Sequence, residues 1–308
     1  MKINSKPTRR SLFMKQWDLQ SMVLPGIIFV FVFSYIPMYG VLMAFQQYDI
    51  FAGIWDSRWV GWTNFRLFFN APEFFNVLRN TIAISFLKLL ISFPAPIILA
   101  LMLNEIRNMA FKRIIQTVSY LPYFLSWVIV SGFVVSLLSV DNGTVNILLA
   151  KLDLIERPIN FLSIPEYFWS ILVSVNVWKE VGFASIVYLA AIAGVDPTLY
   201  EAASIDGASR FKQMYLVTLP CITPVIIIFM ILAIGGILSA GFEDILLLAS
   251  NPILREYSDV IDTYVYRVGI QNSRFSYATA VGLFKSIISV VLLLIANRVA
   301  RRAGVSLW

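Results

Sequence analysis

Six apolar runs, each about twenty residues long, constrain this chain more than anything else in it. Inside a bilayer every backbone amide and carbonyl must find a partner within the protein, so runs of this length can cross only as helices. They lie at residues 22–45, 78–103, 114–138, 168–193, 217–242 and 277–297. The pattern predicts an all-α polytopic membrane protein with a single transmembrane domain over 22–298 and tails at 1–21 and 299–308. Composition points the same way. Of 308 residues, 59% are hydrophobic and 14% charged, and the mean hydropathy is +0.78. Too few polar groups remain to clothe a soluble surface. Lys2, Lys6, Arg9, Arg10 and Lys15 precede the first run as in a signal peptide. That run is too long for a signal core and lacks a small-residue cleavage site, which predicts an uncleaved first span.

Whole classes of chemistry are excluded. With no histidine, neither a Ser-His-Asp triad nor a histidine zinc site can form. Cys221 is the single cysteine, so no intrachain disulfide exists. The net charge of +6 does not indicate nucleic acid, because no basic, aromatic-rich domain stands outside the spans. Membrane topology itself asks for basic loops. Thirteen Lys and Arg fall in the N-terminal tail, the loops 104–113 and 194–216, and the segment from Arg298; seven fall in the three longer loops between the other span ends. Positive charge therefore places both termini, and the 194–216 loop, on the cytoplasmic side of the plasma membrane.

Among the outer loops, Arg58-Trp59-Val60-Gly61-Trp62-Thr63-Asn64-Phe65 mixes aromatic and polar groups and reads as an interfacial segment, either a short in-plane helix or a depth-setting aromatic belt. Asp259 and Asp262 resemble a carboxylate pair but fit a solvated helical face better.

The 194–216 loop is more than a connector. Asp196-Pro197 is a helix start: the carboxylate caps free amides, and proline at the first position gives up no hydrogen bond. Thr198 and Glu201 have the spacing of a capping box. Ala202 and Ala203 let a neighbouring surface approach closely, and Gly207 ends the helix because glycine enters the left-handed conformation freely. A second short helix is expected over 208–215, with Pro220 opening the fifth span. The result is a helix-elbow-helix displaying Glu201 and Asp206.

The order Glu201-Ala202-Ala203, then Asp206-Gly207-Ala208, then Leu219-Pro220 closely resembles the signature of permease subunits of binding-protein-dependent ABC importers. The resemblance runs along most of the chain. Val60-Gly61-Trp62-Thr63-Asn64-Phe65 and Arg79-Asn80-Thr81 look like segments of the sugar-importing members. Trp178-Lys179-Glu180-Val181-Gly182-Phe183, Leu199-Tyr200-Glu201-Ala202-Ala203, and the ending from Ala280-Val281-Gly282-Leu283-Phe284 through Asn297 resemble the branch that handles oligosaccharides or polysaccharide fragments. It implies the type I importer permease fold. It further implies that Glu201, Ala202, Ala203, Asp206 and Gly207 form coupling helices docking on a dimer of cytoplasmic ATPase subunits. Those subunits would hold ATP and Mg, since this chain contains no GxxxxGK[ST] stretch. A second homologous permease, an extracytoplasmic solute-binding protein and membrane lipids complete the implied partners. The chain itself would move cargo by alternating access and catalyse no bond change.

Ionisable residues within spans are costly and point to the bundle interior. Lys179 and Glu180 lie mid-span; adjacent helical positions diverge by about 100°, which argues against their pairing. Lys88 and Lys285 fit snorkelling cations near span ends. Sugars need aromatic faces and polar groups together, and Tyr123, Trp127, Asn176, Trp178, Lys179, Glu180, Glu243 and Asp244 offer both, although aromatics in membranes also serve as packing and anchors. Gly235-Gly236 and Pro224 allow either bending or close helix contact. Three other readings stand beside this one, the first being a permease of the same importer family with a non-sugar solute as cargo. An ion-coupled transporter would leave the elaborate 194–216 loop unexplained and has only Glu180 as midplane carboxylate. An intramembrane enzyme lacks histidine, metal-ligand clusters and a nucleophile motif.

Overall fold

The computed structural model describes residues 17–249, 251–302 and 304–307; most of the basic N-terminal tail lies outside them. Among the described residues, five helices are long and apolar enough to cross a membrane: span 1, Ser21–Phe45; span 2, Phe74–Glu105; span 4, Pro165–Ala193; span 5, Arg210–Gly235; span 6, Phe275–Arg301. The apolar pair Met109–Phe124 and Trp127–Leu137, bent by 103°, makes a sixth when taken as one broken span, and is called span 3.

The expected single helix over 114–138 is thus corrected. Pro122 tightens Leu121–Phe124 into a 3₁₀ turn, and Ser126 starts a new helix by accepting the Ile129 amide at 3.3 Å. Proline also shapes the other spans. Its missing amide and its ring disturb the carbonyl four residues back. In spans 1, 2 and 5 that carbonyl, on Phe33, Leu90 or Leu216, falls within a widened π turn (Phe31–Tyr35, Lys88–Ser92, Met214–Thr218) lying just before Pro37, Pro94 or Pro220. The i→i+5 pattern lets the helix run on past each ring.

Span 5 differs from expectation at both ends. It begins at Arg210 rather than after a separate helix over 208–215, so Pro220 lies inside the span instead of opening it. It stops at Gly235, and Gly236 caps it. Glu243 and Asp244, expected at its outer end, instead begin a separate short helix, Glu243–Leu248.

Span 4 is the hub, packing against spans 2, 3 and 5 and against the helices Glu243–Leu248 and Arg255–Ser258. One cluster, with Ile84, Val130, Phe168, Leu172, Ile245 and Leu254, ties spans 2, 3 and 4 to the 240–260 segment. Another, with Ile97, Ala100, Tyr188, Ile192 and Ile222, joins spans 2, 4 and 5 at the end where the 194–209 loop lies. Span 6 packs on spans 1 and 5. Only 6% of the apolar window of span 1 is buried, against 28% for spans 2 and 4, which makes span 1 the most peripheral crossing.

At the opposite end the loops are pinned by side chains. Residues Gln46–Gln47 and Arg58–Trp59 form a two-residue antiparallel ribbon, and the buried Asn64 amide donates to the Ala44 and Gln46 carbonyls at 2.9 and 3.0 Å. Asn80, fully buried, donates to the carbonyls of Glu256 and Asp259, while Thr81 Oγ1 accepts the Ile261 amide. Asp259 and Asp262 do not form a solvated face. Asp259 is 8% exposed and engages Arg267 and Thr263; Asp262 pairs with Lys285. Burial pushes the Asp259 carboxyl up from its ordinary range, against the pull of Thr263 and Arg267.

Candidate functional site

The 194–209 loop is built as a stiff elbow. Asp196 caps the helix Pro197–Ile205 by accepting the Thr198 amide at 2.9 Å, and that bond holds its carboxyl below the ordinary range. Because Asp196 is the cap, Thr198 and Glu201 lie within the first turns and do not frame a capping box. The helix closes with the paired bonds of a Schellman motif: the Ala208 amide to the Ala203 carbonyl at 2.9 Å, and the Gly207 amide to the Ser204 carbonyl at 3.1 Å. Gly207 sits at φ +74°, where a Cβ is strained.

Two side-chain ties fasten the elbow to span 5. The Tyr200 hydroxyl meets the buried Thr218 hydroxyl at 2.9 Å. The Gln213 amide donates to Ser204 Oγ at 2.9 Å and to the Ala208 carbonyl at 3.1 Å. Arg210 reaches Glu105, at the end of span 2, at 3.5 Å. Glu201, Ala202, Asp206 and Gly207 are exposed, and Ala203 is half-buried. Leu199, Ile205 and Phe211 are also exposed. The elbow therefore presents an acidic and apolar surface on a frame that has little freedom to bend.

The second region is a belt of charge in the bundle. Lys179 is 5% exposed. Its Nζ donates to the Tyr123 carbonyl at 2.9 Å and lies 5.2 and 5.3 Å from the Tyr123 and Trp127 ring centres. In an unbroken helix that carbonyl would accept the Trp127 amide; the break in span 3 frees it, and lysine takes it up. Tyr123 stacks on Phe183 with ring centres 3.9 Å apart. Glu180 Oε1 approaches Lys179 Nζ to 4.0 Å, so the expected divergence of the two side chains is corrected: their length and flexibility overcome the 100° between their stems. Glu180 is also within electrostatic reach of Lys88 and Asp244.

Lys88 and Lys285 do not snorkel. Lys88 Nζ donates to Asp244 Oδ2 at 2.6 Å and to the Ala240 carbonyl at 2.7 Å. Asp244 is 4% exposed, and Gly241, at φ +127°, leaves room for it: a Cβ there would stand 2.3 Å from Asp244 Oδ1. Tyr123, Trp127, Lys179 and Glu180 thus come together, with Lys88 and Asp244 beside them. Trp178 is exposed and faces Phe133; Asn176 is half-buried and Glu243 exposed. Sequence reasoning missed the Lys88–Asp244 pair because the partners are 156 residues apart. Opposite charges in two apolar segments were the one signal available.

Known proteins resemble this chain along most of its length. Residues 92–305 match the family described as the binding-protein-dependent transport system inner membrane component. The polygalacturonan/rhamnogalacturonan transport system permease protein YteP of Bacillus subtilis is 45% identical over 305 residues, covering 98% of this chain and 94% of that protein. The arabinooligosaccharides transport system permease protein AraP of the same organism is 29% identical over 280 residues, 90% of this chain and 86% of its own length. Among solved structures, a chain of a bacterial alginate ABC transporter in complex with an alginate pentasaccharide-bound periplasmic protein superposes with a TM-score of 0.87 at 43% identity, covering 96% of this chain and 97% of that one. A fold shared end to end at this identity, with the capped elbow in the matched region, shows that the chain belongs to the family of inner membrane components of binding-protein-dependent transport systems.

Proposed function

We propose that this chain is one of two homologous membrane subunits of an ATP-driven importer whose cargo is an oligosaccharide. Two cytoplasmic ATPase subunits bind the 194–209 elbow, and an extracytoplasmic binding protein delivers cargo to the opposite end. Both termini lie in the cytoplasm. Closure of the ATPases on ATP draws the elbows together and opens the pathway outward; hydrolysis returns it to the inward-facing state. Tyr123, Trp127, Asn176, Trp178, Lys179, Glu180, Glu243 and Asp244 are the residues of this chain proposed to meet cargo on its way.

The observation that carries the reading is the stiffness of the elbow. A lever transmits motion only if it does not bend, and here a side-chain cap, a Schellman closure and the Tyr200–Thr218 and Gln213–Ser204 bonds weld nine helical residues to the start of span 5. The oligosaccharide assignment rests on two similar permeases, which are named for polygalacturonan/rhamnogalacturonan and for arabinooligosaccharides.

The test is to express the whole complex with Glu201→Ala or Gly207→Pro. Membrane insertion should be normal, while co-purification of the ATPase falls or uptake of labelled oligosaccharide drops at least tenfold. Wild-type values for both quantities in both variants would remove the elbow from the coupling role.

A further inference from the structure

Beside Lys88, where span 2 meets the outer end of span 5, is a cavity of about 170 Å³. Its polar lining consists of Ser85, Lys88 and Ser239; Leu89, Phe93, Ala233, Gly236 and Ile237 complete an otherwise apolar wall. The geometry points to this cavity as a subsite for a carboxylate-bearing group of the cargo, with Lys88 as its cation and Ser85 and Ser239 as its hydroxyl partners. The inference rests on the import reading above and narrows it to acidic oligosaccharides.

Three observations meet here. First, Ser85 is 7% exposed, and its Oγ has no hydrogen-bond partner among the described residues. A hydroxyl left unmade at this depth is a net cost unless something enters to satisfy it. Second, Lys88 has three N–H donors, of which two are held by the Ala240 carbonyl and Asp244. Those bonds orient the ammonium and leave one donor for a ligand. Third, no carboxylate lines the cavity. Asp244 is seated against Gly241, where even a Cβ would displace it. The ammonium is paired with Asp244 behind the wall, so what the pocket itself offers is the remaining Lys88 N–H and two hydroxyls with no carboxylate among its lining, a donor set that suits an acceptor-rich group such as a carboxylate. Its volume admits one sugar ring's acidic edge and not a chain, so the rest of an oligosaccharide must lie elsewhere in the pathway.

The inference is tested on the complete complex, with its binding protein and ATP, in vesicles. The probes are a galacturonate trisaccharide and a neutral trisaccharide of the same length. A Ser85→Cys variant is made in a Cys221→Ser background, so that one thiol reports, and its alkylation by N-ethylmaleimide is timed during transport. The acidic probe should slow labelling at least fivefold and the neutral probe should not. In an otherwise native chain, Lys88→Gln should cut uptake of the acidic probe at least tenfold, and Ser85→Ala at least threefold. A Lys88→Asp/Asp244→Lys exchange, which keeps the ion pair, should restore assembly of the complex but not acidic uptake.

Four results would overturn the subsite. They are equal protection by both probes, no protection while acidic uptake proceeds, a thiol that never reacts, and full acidic uptake by the exchanged pair. Uptake of the neutral probe alone removes the carboxylate and leaves the importer standing. Uptake of neither removes the importer reading itself.

Discussion

Lys179 shows how one break in a helix calls for a charge. An ammonium in the bilayer core costs several kcal/mol when bare, and an unpaired carbonyl about 1–3 kcal/mol. Here each relieves the other, since Lys179 donates to the carbonyl that the broken span 3 leaves open at Tyr123, and the Tyr123 and Trp127 rings cover the remaining charge. Lys179→Met keeps much of the side chain's volume but withdraws the donor, and should lower the thermal midpoint of the purified complex by several degrees. Lys179→Gln, which can still donate, should lose less. Scanning fluorimetry of the two variants checks the order; equal midpoints for Met, Gln and wild type would mean the carbonyl finds another donor without cost. The lysine's depth was readable in the sequence. Its partner was not, because that partner is a backbone atom made available only by a bend.

At the level of the element, the break in span 3 depends on how closely span 4 can approach it. Gly182 makes the approach possible: a Cβ at that position would lie 1.9 Å from the Ser119 carbonyl oxygen and 2.3 Å from its carbon. Both are backbone atoms with no rotamer to yield. Gly182→Ala should therefore push the two spans apart, destabilise the complex by at least the ~1–3 kcal/mol typical of overpacked cores and release Lys179 from Tyr123. Falling yield and thermal midpoint would report it, while unchanged values would mean that span 3 shifts freely. The glycine lies within Trp178–Phe183, a stretch notable in the sequence only for its family resemblance, and helical spacing did not reveal what it faces. Leu121-Pro122 followed by Ser126 carried the turn and cap signals of a break, yet apolar residues run through it without interruption, so hydropathy reads a single span. The elbow was legible for the opposite reason. Its cap and its glycine stop are local, and Asp196 and Gly207 act where the sequence places them. What followed was less legible, because a π turn carries the helix through Pro220.

For the whole molecule, hydropathy marked where the apolar crossings lie, since the bilayer's demand on each run is met within that run, but it missed the break in span 3 and both ends of span 5. Contacts between distant segments, such as Asn80 with Glu256 and Asp259 or Lys285 with Asp262, left no periodic trace. The proposed orientation rests on charge. Thirteen Lys and Arg fall in the N-terminal tail, the loops 104–113 and 194–216 and the segment from Arg298, against seven in the other loops, and the orientation proposed from that excess puts the elbow in the cytoplasm. The single native cysteine makes this testable. In a Cys221→Ser background, Asp206→Cys should react with a membrane-impermeant maleimide in inside-out vesicles only, and Glu156→Cys in right-side-out vesicles only. Both positions are exposed, so access from the aqueous side governs the rate. If the elbow is the docking surface, adding the ATPase subunits should slow the reaction at position 206 several-fold and leave position 156 unaffected. Labelling of position 206 from the outer side would invert the topology and with it the direction of coupling; labelling from the inner side without protection would keep the topology and move the docking surface elsewhere.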